Sequence, residues 1–169
     1  ESAIVFIRTK YRTDRVAKQL NKDGINAQAI HGGRSQSQRE RSLDAFRRGK
    51  VKVLVATDVA ARGIDVPGVT HVFNFDIPKT FDDYVHRIGR TGRAEMTGEA
   101  LTLVSTQDIR ELGDIERGLG KSLVRAEWEG SVHVPSLFSE KGQGQKRRYN
   151  QNRPGRGNPP RRRYASKRA

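Results

Sequence analysis

The densest chemistry in the sequence lies in one stretch, His86-Arg87-Ile88-Gly89-Arg90-Thr91-Gly92-Arg93. Tyr84, Val85 and Ile88 can turn toward a core. Arg90 and Arg93 are then left to project together at helical i, i+3 spacing, beside two glycines that let another backbone come close. A pair of arginines so placed suits a phosphate. It also suits a solvated basic helix end, where cations are favoured by the helix dipole, and these residues by themselves leave both readings open. Further polar clusters occur at Thr9-Lys10, His31-Gly32-Gly33-Arg34, Thr57-Asp58 and Arg62-Gly63-Ile64-Asp65. Gly120-Lys121-Ser122 imitates the end of a phosphate-binding G-x-x-x-x-G-K-[ST] loop, but Ile115 stands where the first glycine belongs. The segment also follows a helix, whereas a phosphate loop follows a strand.

The elements that must position these clusters are legible in the hydrophobic pattern. Short β-branched runs alternate with amphipathic stretches over the first 120 residues, the pattern of a parallel sheet covered by helices. Strands are expected at Ala3 to Arg8, Asn26 to Ile30, Val51 to Ala56, Val69 to Phe75 and Glu99 to Val104. Several are continuous apolar runs, as strands buried on both faces should be. Between them, Tyr11 to Asp23 places Val16 and Leu20 on one helical face and stops at Gly24, suited to a left-handed cap. Ser35 and Gln38 have capping-box spacing ahead of Leu43 and Phe46, with Gly49 as the stop. Thr80 and Asp83 repeat a weaker start signal, and Thr106 opens a last helix carrying Ile109, Leu112, Ile115 and Leu119. Right-handed crossovers place every loop that precedes a helix at the carboxyl ends of the strands, where α/β proteins bind ligands. The polar clusters fall in those loops.

The residues then match a family. Ala56-Thr57-Asp58-Val59-Ala60-Ala61-Arg62-Gly63-Ile64-Asp65 and Tyr84 to Arg93 resemble motifs V and VI of DEAD-box helicases, Ile4-Val5-Phe6 resembles motif IV, and Gln36-Ser37-Gln38-Arg39 resembles the Q-x-x-R motif. Order and intervals agree, the resemblance covers about residues 2 to 125, and within the family it is nearest to bacterial RhlE-like members. It implies an α/β fold: a single RecA-like helicase C-terminal domain, a parallel sheet with helices on both faces. Such a domain closes against a preceding RecA-like domain, with ATP between the two and single-stranded RNA laid across both. The resemblance makes Arg90 and Arg93 arginine fingers that reach the γ-phosphate, where a permanently charged fork stabilises phosphoryl transfer. It makes His86 the link between the γ-phosphate region and the partner domain, and Asp65 with Gly63 the ribose contact. Thr9, Arg39 and Thr57, with the adjoining His31 and Gly32, become contacts to RNA phosphates, which position a strand without reading its bases. Arg62 faces the partner domain.

Gly33 departs from the family pattern, since many members carry Asp there, so a loop-ordering carboxylate is expected to be missing. The sequence also shows no Walker-type loop, no Asp-Glu-Ala-Asp and no Ser-Ala-Thr motif. The expectation is a half-enzyme, inactive alone, with Mg²⁺ held by the absent amino-terminal domain and no metal site of its own. Its opening residues, Glu1-Ser2-Ala3-Ile4, look like a strand entered abruptly.

Composition adds a partner class. The chain has 169 residues and a formal charge of +14, no cysteine and four histidines without paired ligand spacing, which argues against disulfides and metal centres. Every carboxylate lies at or before Glu140, while eleven Lys and Arg follow it. The domain is therefore expected over 1–135, and 136–169 as a disordered Arg-, Gly- and Pro-rich tail. The tail's cations seek a polyanion and its Tyr149 and Tyr164 can stack on bases, so RNA is the expected partner. With no apolar run for a membrane, the chain is expected to be a cytoplasmic monomer. Two other readings stand beside the helicase: a basic RNA-binding or annealing module that works alone, and a double-stranded DNA translocase on the same fold.

Overall fold

A computed structural model describes residues 1–61, 66, 69–92 and 97–126. Five strands form one sheet: β1 (Ala3–Phe6), β2 (Ala27–Ile30), β3 (Val53–Ala56), β4 (His71–Asn74) and β5 (Glu99–Thr102). They run in the order β2-β3-β1-β4-β5 and every pairing is parallel. All five carboxyl ends therefore share one edge, as the crossover argument requires. The helices are α1 (Lys10–Lys22), α2 (Gln36–Arg47), the four-residue α3 (Asp58–Ala61), α4 (Phe81–Ile88) and α5 (Ile109–Leu119), the last preceded by a 3-10 turn at Thr106–Asp108.

The strand sequences explain the layering. In β1, Ile4 and Phe6 face one side with Leu54, Ala56, Ile30 and Phe46 of α2. Val5 and Ile7 face the other side with Val55, Ala27 and Ala17 of α1. Each face thus buries a row of alternating residues beneath a helix, which is why these strands are apolar throughout. A third cluster, Ile77, Tyr84, Leu112 and Ile115, joins α4 to α5. The RecA-like α/β fold is as expected.

The capping signals are realised. Thr9, Ser35 and Thr80 each accept an amide hydrogen bond at the start of their helices, Ser35 within a complete capping box. Gly24 and Gly49 take positive φ, +82° and +69°, just past α1 and α2, where a β-carbon would be strained.

Differences are local. Strands are shorter than the apolar runs because the flanking residues turn: Val51 already bonds back to Ala45 of α2, and Thr70 to Ser2. The turn α3 has too few residues for a periodic signal. Val85, expected to face the core, is 42% exposed, and Arg87 is buried instead at 4%. The core stripe of α4 runs through Tyr84, Arg87 and Ile88, and Val85 lies a third of a turn away.

Candidate functional site

The loops at the carboxyl ends of three adjacent strands bring the first group together. Thr9 follows β1, His31 and Gly32 follow β2, and Thr57 follows β3. Thr9 is exposed at the tip of α1, where its hydroxyl accepts from the Arg12 amide at 3.4 Å. Thr57 starts α3, its carbonyl accepting from the Ala60 and Ala61 amides, and its own amide reaches Ile30 O at 3.2 Å. Arg39 leans from α2 across the same region, with Nη1 on Gln36 Oε1 at 3.2 Å and Nη2 on Ala60 O at 3.4 Å. Its Nε is buried without a hydrogen-bond partner. That guanidinium is held in place while part of its donor capacity goes unused.

His31 is the exception among these residues. It is 5% exposed, and both ring nitrogens are occupied. Nδ1 accepts from the Gly33 amide at 3.1 Å, so Nε2 carries the proton, which it shares with both Asp14 oxygens at 3.1 Å. Arg34 adds a third contact to Asp14 at 2.7 Å. Partial burial pushes the Asp14 carboxyl up, but the His31 and Arg34 hydrogen bonds and charges outweigh it and hold the group below 3.8. His31 therefore shapes the loop that presents Gly32. The carboxylate expected to be missing at Gly33 is supplied from α1 by Asp14. A β-carbon at Gly33 would stand 3.0 Å from His31 Nδ1, which ties the glycine to the buried imidazole.

The second group sits on α4, next to the first. Asp83, His86, Arg87 and Arg90 line a crevice with Phe6, Asp58 and Ala61. The crevice is open and shallow, with room for about one water-sized group, about 20 Å³, between these side chains. His86 is exposed and Arg90 half-buried on its rim. The described residues offer cationic and imidazole donors to the outside of a phosphate and no ring of amides to enclose one.

Sequence reasoning missed the residue that fastens this helix. Arg87 Nε and Nη2 form a two-pronged contact with Asp58, at 2.6 and 2.8 Å. Its Nη1 donates to Asp76 O at 2.7 Å and Asn74 Oδ1 at 3.2 Å, and its guanidinium carbon lies 5.2 Å from the centre of the Phe6 ring. Fully buried Asn74 continues to Thr102 Oγ1 at 3.0 Å. Asp76 in turn accepts from the Arg8 amide at 2.8 Å and Arg12 Nη1 at 2.5 Å. One network therefore crosses the ends of β3, β1, β4 and β5. The available signal was helical spacing: Arg87 lies at i+3 from Tyr84 and must share its face.

After α4 the chain turns through Gly92, at φ +66°, and Thr91 Oγ1 donates to Val69 O at 2.6 Å. Gly98 packs against this turn so closely that a β-carbon there would fall 1.9 Å from Thr91 Oγ1 and 2.6 Å from the Gly92 amide. Gly98→Ala is therefore expected to lower stability by about 1–3 kcal/mol, as overpacking does, read as a fall in the urea midpoint. An unchanged midpoint overturns that close approach. Arg62, Gly63, Asp65, Arg93 and the tail from 127 onward lie outside the described residues.

Comparisons with known proteins agree with this geometry. Residues 1–95 match the helicase conserved C-terminal domain family. The chain is 49% identical over 147 residues to the DEAD-box ATP-dependent RNA helicase CshA of Geobacillus kaustophilus, covering 87% of this chain and 30% of that protein. It is similar to Escherichia coli DEAD-box protein SrmB, solved bound to regulator of ribonuclease activity A, with 41% identity, a TM-score of 0.74, and 80% and 81% of the two chains covered. Saccharomyces cerevisiae Dbp5, solved bound to RNA and ADP BeF3, matches with 36% identity and a TM-score of 0.64 over 69% of this chain and 32% of its own. The chain thus spans under a third of the CshA relative's length.

Proposed function

Because this chain belongs to the DEAD-box helicases, as a helicase conserved C-terminal domain, we propose that it is the second half of an ATP-dependent RNA helicase. In this reading it completes an ATP site begun by an amino-terminal RecA-like domain and holds half of a single-stranded RNA groove. The observation that carries the proposal is the adjacency, on one sheet edge, of a backbone-binding group and an arginine-bearing helix. Thr9, Gly32, Arg39 and Thr57 form the first; His86 lies on the second and Arg90 in the turn just past its end.

ATP supplies the phosphoryl group and the free energy that closing the two domains uses. In this domain, Arg90 and Arg93 meet the charge that grows on the terminal phosphate oxygens, as a delocalised fork can without reorganising. His86 orders the rim between that phosphate and the partner domain. Gly63 lets the backbone approach the nucleotide, and Asp65 accepts from the ribose hydroxyls. Mg²⁺ belongs to the amino-terminal domain. Thr9, Arg39 and Thr57 hold successive RNA phosphates, with Gly32 displayed by the His31–Asp14 pair, so binding follows the backbone rather than the bases. The working unit is a monomer with a domain over 1–135 and a basic tether over 136–169, cytoplasmic, and nearest to the RhlE-like type.

The test joins the chain by a flexible linker to an amino-terminal RecA-like domain of the same family, which raises their effective concentration. RNA-stimulated ATP hydrolysis is expected from the joined pair and from neither part alone. Steady, RNA-stimulated turnover by this chain alone, or none by a folded, RNA-binding pair, overturns the reading.

A further inference from the structure

The exposed face of α1 carries a row of residues that neither the fold nor the proposed site uses. Tyr11, Arg15, Lys18 and Lys22 are spaced at i, i+4, i+7 and i+11, within about 60° of one another around the helix. All four are exposed, Tyr11 at 79%. Exposed aromatics are common singly, but this one heads a line of cations. Among the described residues, Arg15, Lys18 and Lys22 make no ion pair. The lone carboxylate of α1, Asp14, is already engaged by His31 and Arg34. Among the described residues the row is thus a helix-long positive strip with no carboxylate paired to it.

Its position says which polyanion fits. The strip begins two residues from Thr9 and runs away from the sheet edge for about 16 Å, at 1.5 Å per residue. The Lys10 ammonium stands 5.6 Å from the centre of the Tyr11 ring, and the Lys10 stem passes the Gly33 position, 3.8 Å from where its β-carbon would be. Lys10 thus links the glycine loop to the Tyr11 ring at the head of the row of cations. An aromatic ring beside cations at intervals of about 4.5–6 Å is how a single strand is received without sequence preference, bases on the ring and phosphates on the charges.

We propose that α1 is a second RNA track. A strand leaving Thr9 stacks a base on Tyr11 and lays its following phosphates along Arg15, Lys18 and Lys22. The inference rests on the RNA reading above, and adds a path by which the flanking strand is held outside the groove.

The test is binding of a labelled single-stranded RNA, long enough to pass Thr9 and α1, to the whole 169-residue chain over a salt series. The Arg15→Gln, Lys18→Gln, Lys22→Gln variant is expected to flatten the slope of log affinity against log salt by about 2, three phosphates at about 0.7 each. Arg48→Gln, Lys50→Gln, Lys52→Gln removes the same charge at the opposite edge of the sheet and is expected to keep the wild-type slope. Tyr11→Ala is expected to weaken binding of that RNA about tenfold, Tyr11→Phe to restore it, and an abasic oligomer to bind both alike. A wild-type slope in the α1 variant, or equal flattening in the control, overturns the track. So does polyglutamate binding that depends on the three α1 cations while RNA binding does not, which assigns the strip to an acidic protein. Absence of salt-sensitive RNA binding by the wild type overturns the RNA reading itself.

Discussion

In the joined two-domain protein, Arg90→Ala is expected to lower RNA-stimulated kcat by about 10³-fold or more, the range in which an arginine finger acts. The side chain stands half-buried on the rim of an open, shallow crevice. In the proposed reading its phosphate arrives on the amino-terminal domain, so that contact is made on closure and grows with the charge of the transition state. An interaction of that kind changes kcat more than KM. Arg90→Lys keeps the charge and loses the planar fork, and is expected to restore less than a tenth of the lost rate. Single-stranded RNA binding by this chain is expected to stay as it is, because Thr9, Gly32, Arg39 and Thr57 are untouched. A fall in kcat smaller than about tenfold, in a protein that still binds RNA, removes Arg90 from the role of finger and leaves the position to Arg93 alone.

Why the sequence does not point to Arg87, the neighbour of Arg90, shows where the sequence is informative. Sheet and helices follow from local rules: alternating apolar residues, a serine three residues before a glutamine, a glycine where φ must be positive. Each rule acts within a few residues, so each can be read along the chain. Thr9, Gly32 and Thr57 could be placed together for the same reason, since parallel strands send every such loop to one edge. The role of Arg87 depends on Asp58, 29 residues earlier, and on Asn74, Asp76 and Phe6, which only the folded sheet brings within reach. Buried Glu116 is a second case: it accepts from the Leu123 amide at 2.9 Å and Arg125 Nη1 at 2.8 Å, pairings set by a segment folding back on α5. His31 is a third, its place in the loop after β2 legible and its burial on Asp14 not. Periodicity assigns charged residues to solvent unless their partners are known, and partners are tertiary facts.

Arg87→Ala is expected to be the most destabilising single change at the site, by about 3–5 kcal/mol. The guanidinium is 4% exposed and makes four hydrogen bonds to three residues. Its removal leaves the Asp58 carboxylate without its two-pronged partner, Asn74 Oδ1 with no donor at a fully buried position, and Asp76 O exposed to the void. For a domain of this size each kcal/mol moves Tm by about 3–4 °C, so the variant is expected to melt at least about 9 °C lower. Arg87→Lys reaches only part of this set and is expected to fall between, because an ammonium cannot span both Asp58 oxygens and the Asn74–Asp76 pair at once. Asp58→Ala added to Arg87→Ala is expected to cost little more than Arg87→Ala alone. The contact that the second substitution would break is already lost in the first, and the Asp58 side chain, 33% exposed, can turn to water. Additive losses in that cycle, read by urea unfolding of the four proteins, show that Asp58 and Arg87 are not one unit. If instead they couple, helix α4 is fixed at the sheet edge by the buried arginine three residues before Arg90, and Arg90 can stand on the rim because Arg87 does not.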